Sequence, residues 1–478
     1  MRDIYSVETI RAAEEATGEL LASGVLMQRA ASGLASAIMR ELRGPGRGSA
    51  CGRLRGRRVL VAVGSGNNGG DALWAAVRLL RRGVRVSAWR CGSRVHEQGW
   101  DAFVAAGGRD VDAVGALGAL PDADLVVDGV LGIGGRAGLR PEVALFADAC
   151  ADAGVPVVAV DLPSGLEADA CRAEVSFRAS LTVTFGGLKA CHVLEPARTR
   201  CGRVEVVDIG LHPGEPMLRQ WEPADLAAAW PAPGPTSDKY SRGVVGIDTG
   251  SKRYPGAAVL STGGAVHAGA GMVRYLGSAT EAVVAAFPNV VTASGRVQAH
   301  LIGSGWGDRA DGPEVVSAKL DDGVGVVVDA DAIALVKGRR LGRGVLLTPH
   351  AGELARLLGV DRSAVEAEPA GHARWAASET GATVLLKGAT QYVATPDGNV
   401  TLAVPGPAWT AQAGSGDTLA GIAGALLAAG LSARDAALAG ASIQAEVAHA
   451  FPGPLPPQEL AQRIGQVVGQ LLAVARDR

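Results

Sequence analysis

Arg58-Val-Leu-Val-Ala-Val-Gly-Ser-Gly-Asn-Asn-Gly-Gly-Asp71, running on through Ala72-Leu-Trp-Ala-Ala-Val-Arg-Leu-Leu-Arg-Arg82 to Gly83, decides the fold. A short apolar run, a glycine-rich turn and an amphipathic stretch closed by glycine spell strand, loop and a helix over 71–82. The strand shows no polar alternation, so both of its faces are buried, as in a parallel sheet covered by helices. The same grammar recurs at Val84–Trp89, Asp124–Asp128, Val155–Asp161, Leu181–Phe185 and Val204–Val207. It starts again at Val244–Ile247, His300–Ile302, Val324–Val328, Val345–Leu347 and Thr383–Leu386. Between the two series lies Trp221-Glu-Pro through Trp230-Pro-Ala-Pro-Gly-Pro235, whose prolines forbid a continuous helix or central strand. The expected organisation is α/β throughout: a domain over 1–213, a Pro-rich linker over 214–235 and a second domain over 236–478.

With 478 residues the chain is long enough for two such domains, each with its own core. Lys plus Arg number 46 against 48 Asp plus Glu, a net charge of −2, so no global field draws it onto nucleic acid or a membrane surface. No apolar run is long enough to span a bilayer. The first residues, Met1-Arg-Asp-Ile-Tyr-Ser-Val-Glu8, lack a basic segment ahead of an apolar stretch, so a cytoplasmic protein is expected. The six cysteines, at 51, 91, 150, 171, 191 and 201, form no Cys-x-x-Cys and read as reduced structural thiols.

Open parallel sheets bind ligands beyond the carboxyl ends of their strands. In the first half three glycine-rich turns with carboxylates follow strands: Gly64–Asp71, Asp128 with Gly132–Gly138, and Asp161-Leu-Pro-Ser164-Gly165. Gly64-x-Gly66-x-x-Gly69 matches a dinucleotide fingerprint, but the second strand ends Ala88-Trp89-Arg90-Cys91 with no acid for a ribose, which argues against hydride transfer. Asp71 alone reads equally well as an acid stabilising a first helical turn. Asp128 and Asp161 at strand ends are harder to dismiss, because an unpaired buried carboxylate is costly. A hard cation on Asn68, Asp128 and the Ser164 hydroxyl would neutralise one and leave the other for proton chemistry.

These stretches, with Val126–Gly134, Val160–Asp169, Leu181–Lys189 and Val204–Gly210, resemble NAD(P)H-hydrate epimerase across nearly all of residues 1–213. The resemblance implies a Rossmann-like three-layer αβα domain that interconverts the R and S epimers at C6 of hydrated NADH or NADPH. It places K+ on Asn68, Asp128 and Ser164, and the hydrate along Asn67, Asn68, Gly69, Gly70 and Asp71. Gly132, Ile133, Gly134, Gly135, Arg136, Ala137 and Gly138 would complete that surface, with Asp161 as acid/base.

In the second half, Ala413-Gly-Ser-Gly-Asp417-Thr-Leu-Ala-Gly421 leads into an apolar helix. Its backbone N–H groups and helix dipole suit a phosphoryl group in transit, and Asp417 is placed to take a proton from an attacking hydroxyl. Leu386-Lys-Gly-Ala-Thr-Gln391 closes a strand with residues suited to a nucleotide, and Thr348-Pro-His-Ala-Gly-Glu353 offers an imidazole and a carboxylate. No P-loop is present. With Gly256–Ala258, His267–Val273 and Val328–Ala332, this half resembles ADP/ATP-dependent NAD(P)H-hydrate dehydratase, a ribokinase-like αβα enzyme, over about 236–450. The resemblance implies Mg2+ with ADP or ATP on Lys387, Gly388, Ala389, Thr390, Gln391, Gly414, Ser415 and Gly416. Ala258, Gly305 and His350 would line the hydrate, with Asp417 as catalytic base.

Together the halves imply nicotinamide nucleotide repair by an isomerase and a lyase on one chain, whose partners are NAD(P)H hydrates and an adenine nucleotide; a homo-oligomer is expected. Two other readings fit parts of the sequence: a ribokinase-like vitamin-precursor kinase, and a non-catalytic binding module in the first half.

Overall fold

The computed structural model describes residues 1–44 and 52–476; Cys51 lies outside the described residues. The chain divides into two compact units, Asp3–Met217, and Leu218–Arg478 together with Met1–Arg2. Both are α/β.

In the first unit seven strands lie in the order 109–111, 85–90, 58–63, 125–129, 157–160, 181–185, 203–207, every neighbouring pair parallel. The strand Arg58–Val63 shows why its sequence is uniformly apolar. Val59, Val61 and Val63 enter one core with Leu34, Ile38, Leu73 and Leu79. Leu60 and Ala62 enter a second, on the other face, with Trp89, Val126, Phe146 and Phe177. Alternate side chains of one strand thus fill two cores. The helix that follows spans Asn67–Leu80 and starts four residues before the expected Asp71, with Gly66 as its cap.

The second unit's sheet contains strands in the order 218–220, 400–402, 392–394, 383–386, 345–347, 325–328, 299–302, 244–248, 272–275. A wholly parallel sheet was expected here; instead Tyr392–Ala394 runs antiparallel to both of its neighbours. Its connections are too short for anything else, since a parallel crossover needs a dozen residues or more and a hairpin needs few. The expected linker also folds. Leu218–Gln220 pairs with Val400–Leu402, and Pro223–Ala229 is a helix with proline at its start, where a missing N–H is harmless. Trp221 and Leu226 join the core, so these residues belong to the second unit.

Helix Ser415–Ala428 is buried continuously from Thr418 onward, which explains its apolar circumference. It meets helix Pro255–His267 backbone to backbone: a Cβ on Gly421 would lie 1.9 Å from the Ser261 carbonyl oxygen, and one on Gly264 2.2 Å from that of Thr418. Among the described residues no helix is long and apolar enough to cross a membrane. Gly421→Ala is expected to destabilise the second unit by about 1–3 kcal/mol through overpacking, read as a lowered urea midpoint.

Candidate active sites

At the carboxyl edge of the first sheet, Asn67, Asn68, Asp71 and Asp161 line a cavity of about 390 Å³. Gly132, Ile133, Gly134 and Gly135 form part of its wall. Gly69 and Gly70 serve packing: a Cβ on Gly69 would lie 2.2 Å from the Gly64 carbonyl oxygen, and one on Gly70 would touch Met27 and His96 at 3.0 Å. Arg136, Ala137 and Gly138 do not line the cavity, and the Gly138 N–H donates to the Gly165 carbonyl at 2.9 Å.

Asp161 sits on the turn after strand 157–160 with φ +66°, a left-handed conformation that Asp tolerates better than most residues. Lys189 Nζ donates to Asp161 Oδ1 at 2.7 Å, to Thr184 Oγ1 at 2.7 Å and to the Phe185 carbonyl at 2.9 Å. Thr184 Oγ1 donates to the same Asp161 oxygen at 2.9 Å. Burial pushes Asp161 upward, but the Lys189 charge and these bonds outweigh it, and the carboxyl is held below its usual range. His192 fixes the turn. Its Nδ1 accepts from the Lys189 N–H at 3.1 Å, so Nε2 carries the proton and donates to the Asp161 carbonyl at 2.9 Å.

Asn68, Asp128 and Ser164 come together around Leu131. Ser164 Oγ donates to Asp128 Oδ1 at 2.6 Å, and the Ser164 N–H to Oδ2 at 2.7 Å. The Leu131 N–H donates to Ser164 Oγ at 2.8 Å, while Asn68 Nδ2 donates to the Leu131 carbonyl at 3.0 Å. Burial pushes Asp128 up to about 6 against the pull of the Ser164 bonds. One carboxylate with amide, hydroxyl and peptide oxygens fits a hard cation of low charge. Among the described residues no group of three His, Cys, Asp or Glu gathers for a metal.

In the second unit the expected base, Asp417, lies in the first turn of helix Ser415–Ala428, capped by Gly414 at φ +88°. Lys387 Nζ pairs with buried Asp329 Oδ1 at 2.8 Å, and a Cβ on Gly416 would lie 3.3 Å from that ammonium. Thr348 Oγ1 and Ser304 Oγ donate to the two Asp329 oxygens, each at 2.7 Å. Burial first, then the Asp329 charge, push Asp417 up to about 6, with Lys387 opposing. Asp329 itself is held low, since Lys387 outweighs its burial. Ser304 ties this cluster to the expected hydrate residues: its carbonyl accepts from the Gly250 N–H at 2.7 Å. Cβ atoms on Gly250 and Gly305 would lie 2.6 Å and 2.5 Å from those of Ala258 and Ala257.

His350 caps helix Ala351–Leu358, its Nδ1 accepting from the Gly352 and Glu353 N–H groups at 3.0 and 3.2 Å. It bridges to Lys387 in parallel register, and so stands beside the cluster. Gly388 and Ala389 are exposed beyond Lys387, whereas Thr390 is buried. The Gln391 carbonyl accepts from the Ala403 N–H at 3.2 Å in the hairpin. Ser415 Oγ donates back to the Gln412 carbonyl at 2.8 Å.

Sequence reasoning assigned no role to Lys189, Asp329 or Ser304, nor to Arg11 and Glu14, which reach the first cavity from helix Val7–Ala16. Asp169 pins that helix, both its oxygens accepting from the Val7 N–H at 3.0 and 3.1 Å. Among the described residues the only non-glycine positions with positive φ are Asp161 and Ala330, which follows Asp329. Strained backbone thus gathers at both clusters.

Comparison with known proteins gives two family matches: residues 23–191 to the YjeF-related protein N-terminus, and 245–466 to NAD(P)H-hydrate dehydratase. The chain is 47% identical over 451 residues to the bifunctional NAD(P)H-hydrate repair enzyme Nnr of Mycobacterium tuberculosis, covering 91% of each. It is 46% identical to the protein of the same name from Mycobacterium leprae, covering 95% of this chain and 96% of that one. The ADP/ATP-dependent NAD(P)H-hydrate dehydratase of Bacillus subtilis, co-crystallized with ATP/Mg2+, shares the second unit's fold. Its TM-score is 0.50 at 24% identity, over 53% of this chain and 99% of that one.

Lys189→Met leaves Asp161 buried without its counter-charge and is expected to destabilise the first unit by about 3–5 kcal/mol, read by denaturant titration at pH 7. Acidification tests the sign. Because Asp161 is held low, its stabilising contribution is complete above the ordinary aspartate value of about 3.9 and is lost as the pH falls below it.

Proposed function

The chain belongs to the bifunctional NAD(P)H-hydrate repair enzymes, and on that footing we propose a role for each of its two clusters. Both activities are carried: epimerisation of the R and S hydrates, and dehydration of the S epimer back to NAD(P)H at the expense of ADP or ATP. The vitamin-precursor kinase reading falls, because relatives matched over nine-tenths of the chain share both halves.

The first unit is the epimerase. The hydrate lies against Asn67, Asn68, Asp71 and Gly132–Gly135, and Asp161 is the acid/base group facing the reacting carbon. K+, held by Asn68, Asp128 and Ser164, supplies the positive charge that keeps the Asp128 carboxylate ionised. Lys189 and His192 fix the orientation of Asp161.

The second unit is the dehydratase. Hydroxide leaves carbon poorly, whereas phosphate leaves well. The nucleotide's terminal phosphoryl group sits at the amino end of helix 415–428, beside Lys387, with Mg2+ offsetting its charge. Asp417 takes the proton of the C6 hydroxyl as its oxygen attacks phosphorus. The ring nitrogen lone pair then expels the phosphate, and loss of a ring proton restores NAD(P)H. His350, Ala258 and Gly305 line the hydrate, and Gly388–Gln391 with Gly414–Gly416 contact the nucleotide. A cytoplasmic homo-oligomer completes the reading.

The observation that carries this assignment is Asp417, a mostly buried carboxyl pushed up to about 6 in the first turn of helix Ser415–Ala428, beside the Lys387–Asp329 pair. A base titrating near working pH is the efficient one, worth on the order of 10²–10⁴ in rate. Nucleotide-dependent NADH recovery, followed by absorbance, should rise with pH through about 6 and level off above it. Asp417→Asn should abolish that recovery while R/S interconversion persists, and Asp161→Asn should do the reverse. One variant stopping both reactions in a folded protein would refute the division. Replacing K+ by Na+ should slow epimerisation alone.

A further inference from the structure

Asp71 is not explained by helix stabilisation. Its helix begins at Asn67, so Asp71 is the fifth residue, past the first turn whose N–H groups lack partners; that turn holds no acid. The side chain is nine-tenths buried, and its Oδ1 has no hydrogen-bond partner. It forms part of the wall of the 390 Å³ cavity that holds Asp161. It also borders an adjoining cavity of about 490 Å³ with Trp74 and His96. A buried carboxyl without a partner is tolerable as the neutral acid, not as the anion.

The charges around it agree. Asp161 faces the cavity from the 157–160 turn with Lys189 on it, and Glu14 and Arg11 reach in from helix Val7–Ala16. His96 stands on the far side, its Nδ1 accepting from the Gly99 N–H at 3.1 Å. Burial, then the Asp161 and Glu14 charges, push Asp71 well above the ordinary aspartate value. One cavity therefore sets an unpartnered carboxyl pushed towards its neutral form beside a lysine-paired carboxylate, the division of labour that acid/base pairs need.

We propose that Asp71 is the catalytic proton donor of the epimerisation and Asp161 its proton acceptor. The proposal rests on the epimerase reading of the first unit. The hydrate's C6 carries its hydroxyl on a carbon bonded to the ring nitrogen. Asp71 gives its proton to that hydroxyl, the C6–O bond breaks, and water departs as the nitrogen lone pair forms an iminium. A water molecule adds to C6 from the other face and passes a proton to Asp161. The product is the opposite epimer with a solvent oxygen, and a proton moving from Asp161 to Asp71 through water restores the starting state.

The full-length enzyme, its Asp71→Asn variant and its Glu14→Gln variant would be incubated with one hydrate epimer in ¹⁸O-water without nucleotide. R/S interconversion is read by chromatography and the C6 oxygen by mass spectrometry. The expected result is one solvent oxygen per inversion, with Asp71→Asn slowed on the order of 10²–10⁴-fold. The wild-type rate should fall at high pH as Asp71 loses its proton. Glu14→Gln should move that limb to lower pH, a readout that does not depend on how Asp71→Asn folds. Inversion without oxygen exchange, near-normal turnover by Asp71→Asn, or an unmoved limb in Glu14→Gln would each overturn the assignment to Asp71 alone. Failure of the unmodified chain to invert either epimer would overturn the epimerase reading along with it.

Discussion

Two lysine ammonium groups, each set against one buried aspartate at the carboxyl edge of a sheet, fix the charge of both candidate sites. Lys189 on Asp161 and Lys387 on Asp329 stand 2.7 and 2.8 Å from their partners. Neither carboxylate could stay ionised out of water without that charge, and neither lysine could be buried without the carboxylate. Thr184 beside the first pair, and Thr348 with Ser304 beside the second, occupy remaining acceptor sites on the oxygens. Each site is therefore a fixed arrangement of charge before any ligand arrives.

Against that fixed charge each unit sets a second carboxyl whose proton is easier to keep. Asp71 faces Asp161, and Asp417 faces Asp329, with burial and the neighbouring anion acting in the same direction. The two proposed chemistries differ, one exchanging a hydroxyl at a stereocentre and the other taking a hydroxyl proton during phosphoryl transfer. The physical device is shared: neighbouring acids with environments that push their proton affinities apart.

Most of the architecture could be read from apolar runs. Arg58–Val63, Leu125–Gly129 and Leu181–Phe185 are long enough for burial on both faces to leave a pattern. Arg109–Val111, Tyr392–Ala394 and Val400–Leu402 have three residues each, too few for any period to register. The folding of 218–229 was hidden because its one proline, Pro223, is harmless at a helix start, a position that composition does not show. Asn68, Asp128, Asp161 and Ser164 were legible as a group because each stands at or just beyond the carboxyl end of a strand, and parallel strands bring such residues to one edge. Lys189 was not, because its importance lies in a contact with a residue 28 positions earlier. Glu14 and Arg11 arrive from a helix outside the strand-to-loop pattern. The bland explanation of Asp71 depended on where its helix starts, and a shift of four residues removes it.

The left-handed turn at Asp161 has an evolutionary reach. From an aspartate codon, one base change leads to Glu, Val, Ala, Gly, Asn, Tyr or His. Of these, Gly and Asn fit φ +66° with least strain, yet neither brings a carboxylate to meet Lys189. Glu retains the charge but suits the backbone poorly and carries its oxygens one methylene further out. Every neighbouring genotype therefore forfeits either the turn or the ion pair. Drift away from this residue has no intermediate step that keeps both, and paralogues that have abandoned the chemistry should be recognisable by a glycine or asparagine at this one corner.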